Sequence, residues 1–180
     1  MAAGKTTVGR HLARELGLPF VETDDLIVAR EGPIAPLFAR VGEAGFRAAE
    51  CAAVCEALDG PLAVIALGGG AITHEPTRAL LAARALRVYL DVPVETLVER
   101  LRRSRTVRPL VGAEPTIERV RALLDAREPL YREADLTVRS PQTSKLAYAR
   151  RIAYEIEART PGASTPGAST PDPTSKGPAQ

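Results

Sequence analysis

The sequence has no tryptophan, three phenylalanines and four tyrosines, so aliphatic side chains and alanine must fill whatever core it forms. Cysteine is almost as scarce: Cys51 and Cys55 stand four residues apart, on one face of an expected helix. A disulfide at that spacing inside a helix has poor geometry, and a structural zinc site needs more ligands than this pair supplies. Both are therefore read as small buried or half-buried residues. No apolar run approaches the roughly 20 residues of a membrane span, and nothing reads as a signal peptide. These two absences predict a cytoplasmic protein that does not engage a membrane. Net charge is small too, +2 from 24 basic and 22 acidic residues. That is too little to argue for nucleic acid, and no aromatic platform accompanies the basic residues. Lysine is the rare cation, three against 21 arginines. Arginine is the better planar, two-pronged partner for carboxylate and phosphate, although the bias as a whole is attributed to codon usage.

What is present fits one domain of ordinary globular composition, expected over residues 1–158. The stretch 159–180, RTPGASTPGASTPDPTSKGPAQ, repeats PGAST and lacks any large apolar residue. It cannot offset its ordering entropy by burial and is expected to be disordered. Before it, apolar periodicity predicts helices at 7–16, 46–58, 94–103, 117–126 and 145–158. Short apolar runs predict strands at 19–23, 62–67, 87–91 and 135–138. The run 62–67, LAVIAL, is continuous, as in a strand covered on both faces. Strands alternating with helices imply an α/β domain with a parallel sheet.

Gly4-Lys5-Thr6-Thr7, opening the first helix, matches the end of the phosphate loop G-x-x-x-x-G-K-[ST]. Backbone N–H groups at a helix start hold phosphate oxygens; Lys5 would reach the β- and γ-phosphates of ATP and Thr6 would ligate Mg²⁺. Taken alone, the same four residues also fit an ordinary helix start. The motif's first glycine should lie five residues before Gly4, and only three residues precede it.

Five further patterns follow in order. They are Glu22-Thr23-Asp24-Asp25, the segment GEAGFRAAE containing Arg47 and Glu50, and Gly68-Gly69-Gly70 after an apolar strand. Arg108-Pro109-Leu110 and Arg127-Glu128-Pro129-Leu130-Tyr131 complete the set. With the phosphate loop, these resemble the shikimate kinase family over residues 1 to about 158. The resemblance implies a three-layer P-loop kinase fold, with a parallel sheet of order 2-3-1-4-5, helices on both faces and a mobile lid at about 104–116. It implies ATP-dependent phosphorylation of the 3-hydroxyl of shikimate, with Mg²⁺ as cofactor, in the aromatic amino-acid pathway, by a monomer. By the same resemblance Ala3, Gly4, Lys5, Thr6 and Thr7 bind ATP, with Arg100 near the adenine and Arg108 bringing positive charge to the transferring phosphate. Arg47 and Arg127 would pin the substrate carboxylate. Asp24 would grip the hydroxyls and receive the proton. Gly68, Gly69 and Gly70 would let backbone approach the substrate, because no Cβ intervenes.

Two departures stand out. Glu22 replaces the family's usual aspartate, which supports Mg²⁺ through water, and keeps the charge while adding a methylene. The family's first strand, central in its sheet, has no counterpart in this chain. Without it the strands at 62–67 and 87–91 lack a partner between them, so the chain is expected to fold poorly and bind ATP weakly. Met1 is accordingly read as an internal methionine of a protein that begins upstream. The rival readings are another small-molecule P-loop kinase, of gluconate or nucleoside monophosphate type, and a non-catalytic nucleotide-binding paralogue.

Overall fold

A computed structural model describes residues 2–103, 115–139 and 144–159. The expected tail from residue 160 onward, residues 104–114 of the expected lid, and Arg108 lie outside the described residues. The elements are α1 (Lys5–Leu16), β1 (Phe20–Glu22), α2 (Thr23–Glu31), α3 (Ile34–Asp59), β2 (Val64–Ala66), α4 (Glu75–Arg84), β3 (Val88–Asp91), α5 (Val94–Arg103), α6 (Ile117–Asp125), α7 (Glu128–Tyr131), β4 (Leu136–Arg139) and α8 (Lys145–Arg159). Helices and short parallel strands alternate, as an α/β domain requires. No helix among the described residues is long and apolar enough to cross a membrane.

Each boundary has a local cause. Gly17 takes φ 65°, and Leu18 N–H returns to the Ala13 carbonyl at 2.8 Å, closing α1. Thr116 Oγ accepts from Arg119 N–H and caps α6. The predicted helix at 46–58 is the second part of a longer element, α3, which bends at Gly42, where φ is 68° and ψ −175°. That conformation suits a residue without Cβ. Beyond the bend, Phe46, Arg47, Glu50, Ala53, Val54 and Ala57 are buried along one face.

Among the described residues, four strands form two separate parallel pairs. Residues 20–22 of β1 pair with 64–66 of β2, and residues 88–91 of β3 with 136–139 of β4. Among the described residues nothing pairs with the inner edge of either. The pairs share an apolar cavity of about 550 Å³ whose lining includes Val64, Ile65, Val88, Leu90, Leu12 and Ile152. The run predicted to be covered on both faces is consequently half-buried: Val64 and Ile65 are intermediate, and Leu62 is 78% exposed.

Among the described residues, three apolar clusters hold the rest. Val8 and Leu12 of α1 pack with Tyr148, Ala149 and Ile152 of α8 and with Leu136 and Val138 of β4. A second cluster joins α5 to α6 through Leu97, Val98, Leu101 and Val120. A third joins α2 to α3 through Ile27, Leu37, Phe46 and Ala53. Fully burying one such aliphatic side chain contributes about 1.5–3 kcal/mol. The first cluster therefore fixes α8 against α1 firmly.

Candidate active site

The phosphate-loop end is built around Gly4, which precedes α1 at φ 90° and ψ 25°. Its carbonyl accepts the first helical hydrogen bond, from Val8 N–H at 2.8 Å. The amides at the start of α1, with the positive end of the helix dipole, make this start suited to an anion. Lys5 is the first helical residue and lines the apolar cavity together with Gly68, Gly69 and Arg127. Arg100 reaches in from α5 and donates to the carbonyls of Ala2 at 3.3 Å and Ala3 at 3.1 Å. Its guanidinium, which the family pattern puts near the adenine, thus holds the backbone of the loop. Thr7 is exposed.

Thr6 and Glu22, the two residues expected at a metal, are brought together from α1 and β1. Thr6 Oγ1 donates to Glu22 Oε1 at 2.6 Å, and Arg10 lies 3.9 Å from the other carboxylate oxygen. A hydroxyl and a carboxylate side by side are hard oxygen donors of the kind Mg²⁺ takes.

The second half of the site surrounds Gly68–Gly70, in the turn leaving β2. Thr23, 1% exposed, fastens this turn: its hydroxyl donates to the Ala66 carbonyl and accepts from Gly68 N–H, both at 3.3 Å. Arg127 and the Tyr131 hydroxyl each donate to the Gly69 carbonyl at 3.1 Å. Tyr131 is in turn stacked on Tyr89, with ring centroids 5.1 Å apart. None of the three glycines has a positive φ, so their use is spatial. A Cβ on Gly70 would stand 2.5 Å from a guanidinium nitrogen of Arg47. One on Gly68 would run into the Glu50 carboxylate and stand 3.1 Å from Asp24 Oδ1. Asp24 lies in the first turn of α2, which starts at Thr23 after Glu22. The expected substrate residues Asp24, Arg47, Gly68, Gly69, Gly70 and Arg127 thus surround a single turn.

The charges here are arranged tightly. Arg47 is 9% exposed and pairs with Glu50 three residues on and with Glu43 at 3.2 Å. Burial works against its charge, but the hydrogen bonds and charges of Glu50 and Glu43 raise its pKa above the ordinary arginine value. Burial pushes Glu50 above the usual carboxylate range; Arg47 pulls it down, and Asp24 adds to the rise. Arg47 Nε is buried with no hydrogen-bond partner among the described residues. A buried donor left unmade costs about 1–3 kcal/mol, a cost that an incoming acceptor would remove. Sequence reasoning gave no role to Thr23 or Tyr131. Both lay inside motifs quoted for their neighbours, and that was the available signal.

The profile described as "Shikimate kinase" matches residues 1–157. A curated shikimate kinase of Halorhodospira halophila is 44% identical over 161 residues, covering 88% of this chain and 90% of that protein. Among solved structures, a shikimate kinase from Acinetobacter baumannii in complex with shikimate superposes with a TM-score of 0.81 at 41% identity, over 88% of this chain and 89% of that one. The Aquifex aeolicus shikimate kinase gives a TM-score of 0.74 at 28% identity, over 88% and 92%. These likenesses favour neither a gluconate or nucleoside monophosphate kinase nor a non-catalytic paralogue.

Proposed function

The chain belongs to the shikimate kinase family, and from that premise we propose how its own residues move the γ-phosphoryl group of ATP to the 3-hydroxyl of shikimate. It is an ATP-dependent kinase; the assignments below are our reading of its site. The observation that carries them is the convergence of Arg47, Arg127 and Asp24 on Gly68–Gly70, with Arg47 Nε left over as a buried donor.

Shikimate presents a carboxylate to the two guanidinium groups, which are permanently charged and forked to match it. Arg47 is pre-set by Glu50 and Glu43, and Arg127 by the Gly69 carbonyl. Little side-chain freedom is therefore lost on binding. Asp24 accepts a hydroxyl of the substrate and its proton as the oxygen attacks. Glu50 stands close to the same turn and is held there by its ion pair with Arg47.

On the nucleotide side the amides at the start of α1 and the Lys5 ammonium receive the β- and γ-phosphates. Thr6, with Glu22 behind it, would hold Mg²⁺. When bound there, the ion would supply charge neutralisation to the phosphates. Arg108, outside the described residues, is assigned to the transferring phosphate by the family motif alone. Positioning and charge carry most of such a reaction, since the protein has little covalent chemistry to perform. A cytoplasmic monomer, supplied by the ATP pool there, completes the proposal. Coupled ADP release with shikimate, gluconate, CMP and AMP offered in turn tests it. Turnover with shikimate alone is expected; equal turnover with any of the others sinks the assignment.

A further inference from the structure

Lys145 is the first residue of α8 and belongs to no motif that pointed to the site. The core nevertheless delivers it to the phosphate loop. Tyr148, Ala149 and Ile152 bury α8 against Val8 and Leu12 of α1. Ser144 Oγ accepts from Ala147 N–H at 3.2 Å, fixing the start of α8. Further along, Arg150 reaches Glu15 in the last turn of α1 at 3.3 Å. With the helix so held, the Lys145 side chain lies over Gly4. Its Nζ is 3.1 Å and its Cε 3.2 Å from where a Cβ on Gly4 would stand.

This is an uncomfortable place for an ammonium group. It stands at the positive end of α8, whose first turn contains no acidic residue. It also stands beside the positive start of α1. Burial lowers its pKa below the ordinary lysine value, and the nearby Arg100 guanidinium lowers it further. Arg100 is itself committed to the carbonyls of Ala2 and Ala3. Two cations and two helix starts therefore meet at one glycine, and the chemistry that relieves all four is a polyanion.

We infer that Lys145 is a nucleotide-binding residue, whose ammonium group contacts the polyphosphate chain of ATP from the α8 side of Gly4. The inference rests on the kinase reading above and adds to it a second lysine, from the far end of the chain, at the same loop. Gly4 then has two uses. It takes a left-handed backbone, and it leaves the space through which Lys145 reaches the phosphates.

The test measures ATP affinity by calorimetry on the full chain and on Lys145→Met, Lys145→Arg and Lys5→Met, alongside the KM for shikimate and the melting temperature. Methionine keeps an unbranched side chain of similar length and removes the charge. Lys145→Met is expected to weaken ATP binding roughly tenfold or more, from the lower end of the range for hydrogen bonds to charged groups upward. The shikimate KM should stay unchanged, and the defect should shrink as salt rises. Lys145→Arg should restore most of the affinity. Unchanged ATP affinity in Lys145→Met, with Lys5→Met impaired, overturns the inference and leaves the kinase reading standing. A defect that Arg does not rescue and salt does not alter, accompanied by a lower melting temperature, also overturns it, because the role is then packing. An unmodified chain that binds shikimate but shows no affinity for ATP removes the kinase reading and this inference together.

Discussion

The two halves of the site are built differently. Around Gly68–Gly70 nearly every group is tied to another protein group: Thr23 to Ala66 and Gly68, Arg127 and Tyr131 to Gly69, Arg47 to Glu50 and Glu43. Around Gly4 the chain offers a helix start, cations and a clasp from Arg100, and beside them lies a cavity between two strand pairs. The acceptor half is stiffened by short-range polar bonds that its own segments supply. The phosphate half depends on the sheet beneath it, where the inner edges of β2 and β3 find no partner among the described residues. Preorganisation of the first half therefore says little about the second, and substitutions should separate them.

The largest effect is expected at the phosphate loop. Lys5→Met should lower kcat about a thousandfold, judged by the contribution of a cation at a transferring phosphate, with shikimate binding retained. A steady-state assay against both substrates checks this. Asp24→Asn keeps the shape and removes the proton acceptor, and should lower kcat about a hundredfold or more while leaving ATP affinity intact. Arg47→Ala should act in the opposite sense, through the shikimate KM. Truncating one partner of a buried charge pair costs about 2–5 kcal/mol, and the orphaned Glu50 should lower the melting temperature as well.

Smaller effects probe the scaffold. Tyr131→Phe removes one hydrogen bond to Gly69 O, worth about 0.5–1.5 kcal/mol. It should raise the shikimate KM a few-fold without touching the ATP KM; equal shifts in both would blur the division between the halves. The smallest concerns the β3–β4 pair. Arg87 grips Asp135 with two side-chain hydrogen bonds at 3.0 Å and one from its backbone N–H at 2.8 Å. These pull the Asp135 carboxyl down to about 2 from its ordinary 3.8. A depressed carboxylate stabilises the fold above its unfolded value and loses that contribution as pH falls through the folded one. Stability should therefore drop between 3.8 and about 2, and Asp135→Asn should flatten that part of the profile in acid melts. The group is 37% exposed, so solvent screening keeps the change small.

Much of this was legible in the sequence because particular residues forced it. Val8, Leu12 and Leu16 spaced along one face, closed by Gly17, announce α1; VETLVERLRR repeats the pattern for α5. Helices α2, α4 and α7 carry too little apolar periodicity to declare themselves. In α2 only Thr23 and Ile27 are buried, and α7 is four residues with proline near its start. The bend at Gly42 was hidden for a different reason: a glycine shows that the backbone can turn, not that it does. Arg47, Arg127, Asp24 and the glycine triplet were found through short motifs. Lys145 escaped because its role comes from how α8 packs on α1, a tertiary fact with no local signature.

The central claim is that Arg47 and Arg127 hold the acceptor by its carboxylate. Comparing turnover of shikimate with its methyl ester, in the unmodified chain and in Arg47→Ala, tests it most directly. The expected result is that the ester loses kcat/KM heavily in the unmodified chain and loses less in Arg47→Ala, where Arg127 alone remains for the carboxylate to lose. An ester turned over as well as the acid by the unmodified chain would contradict it.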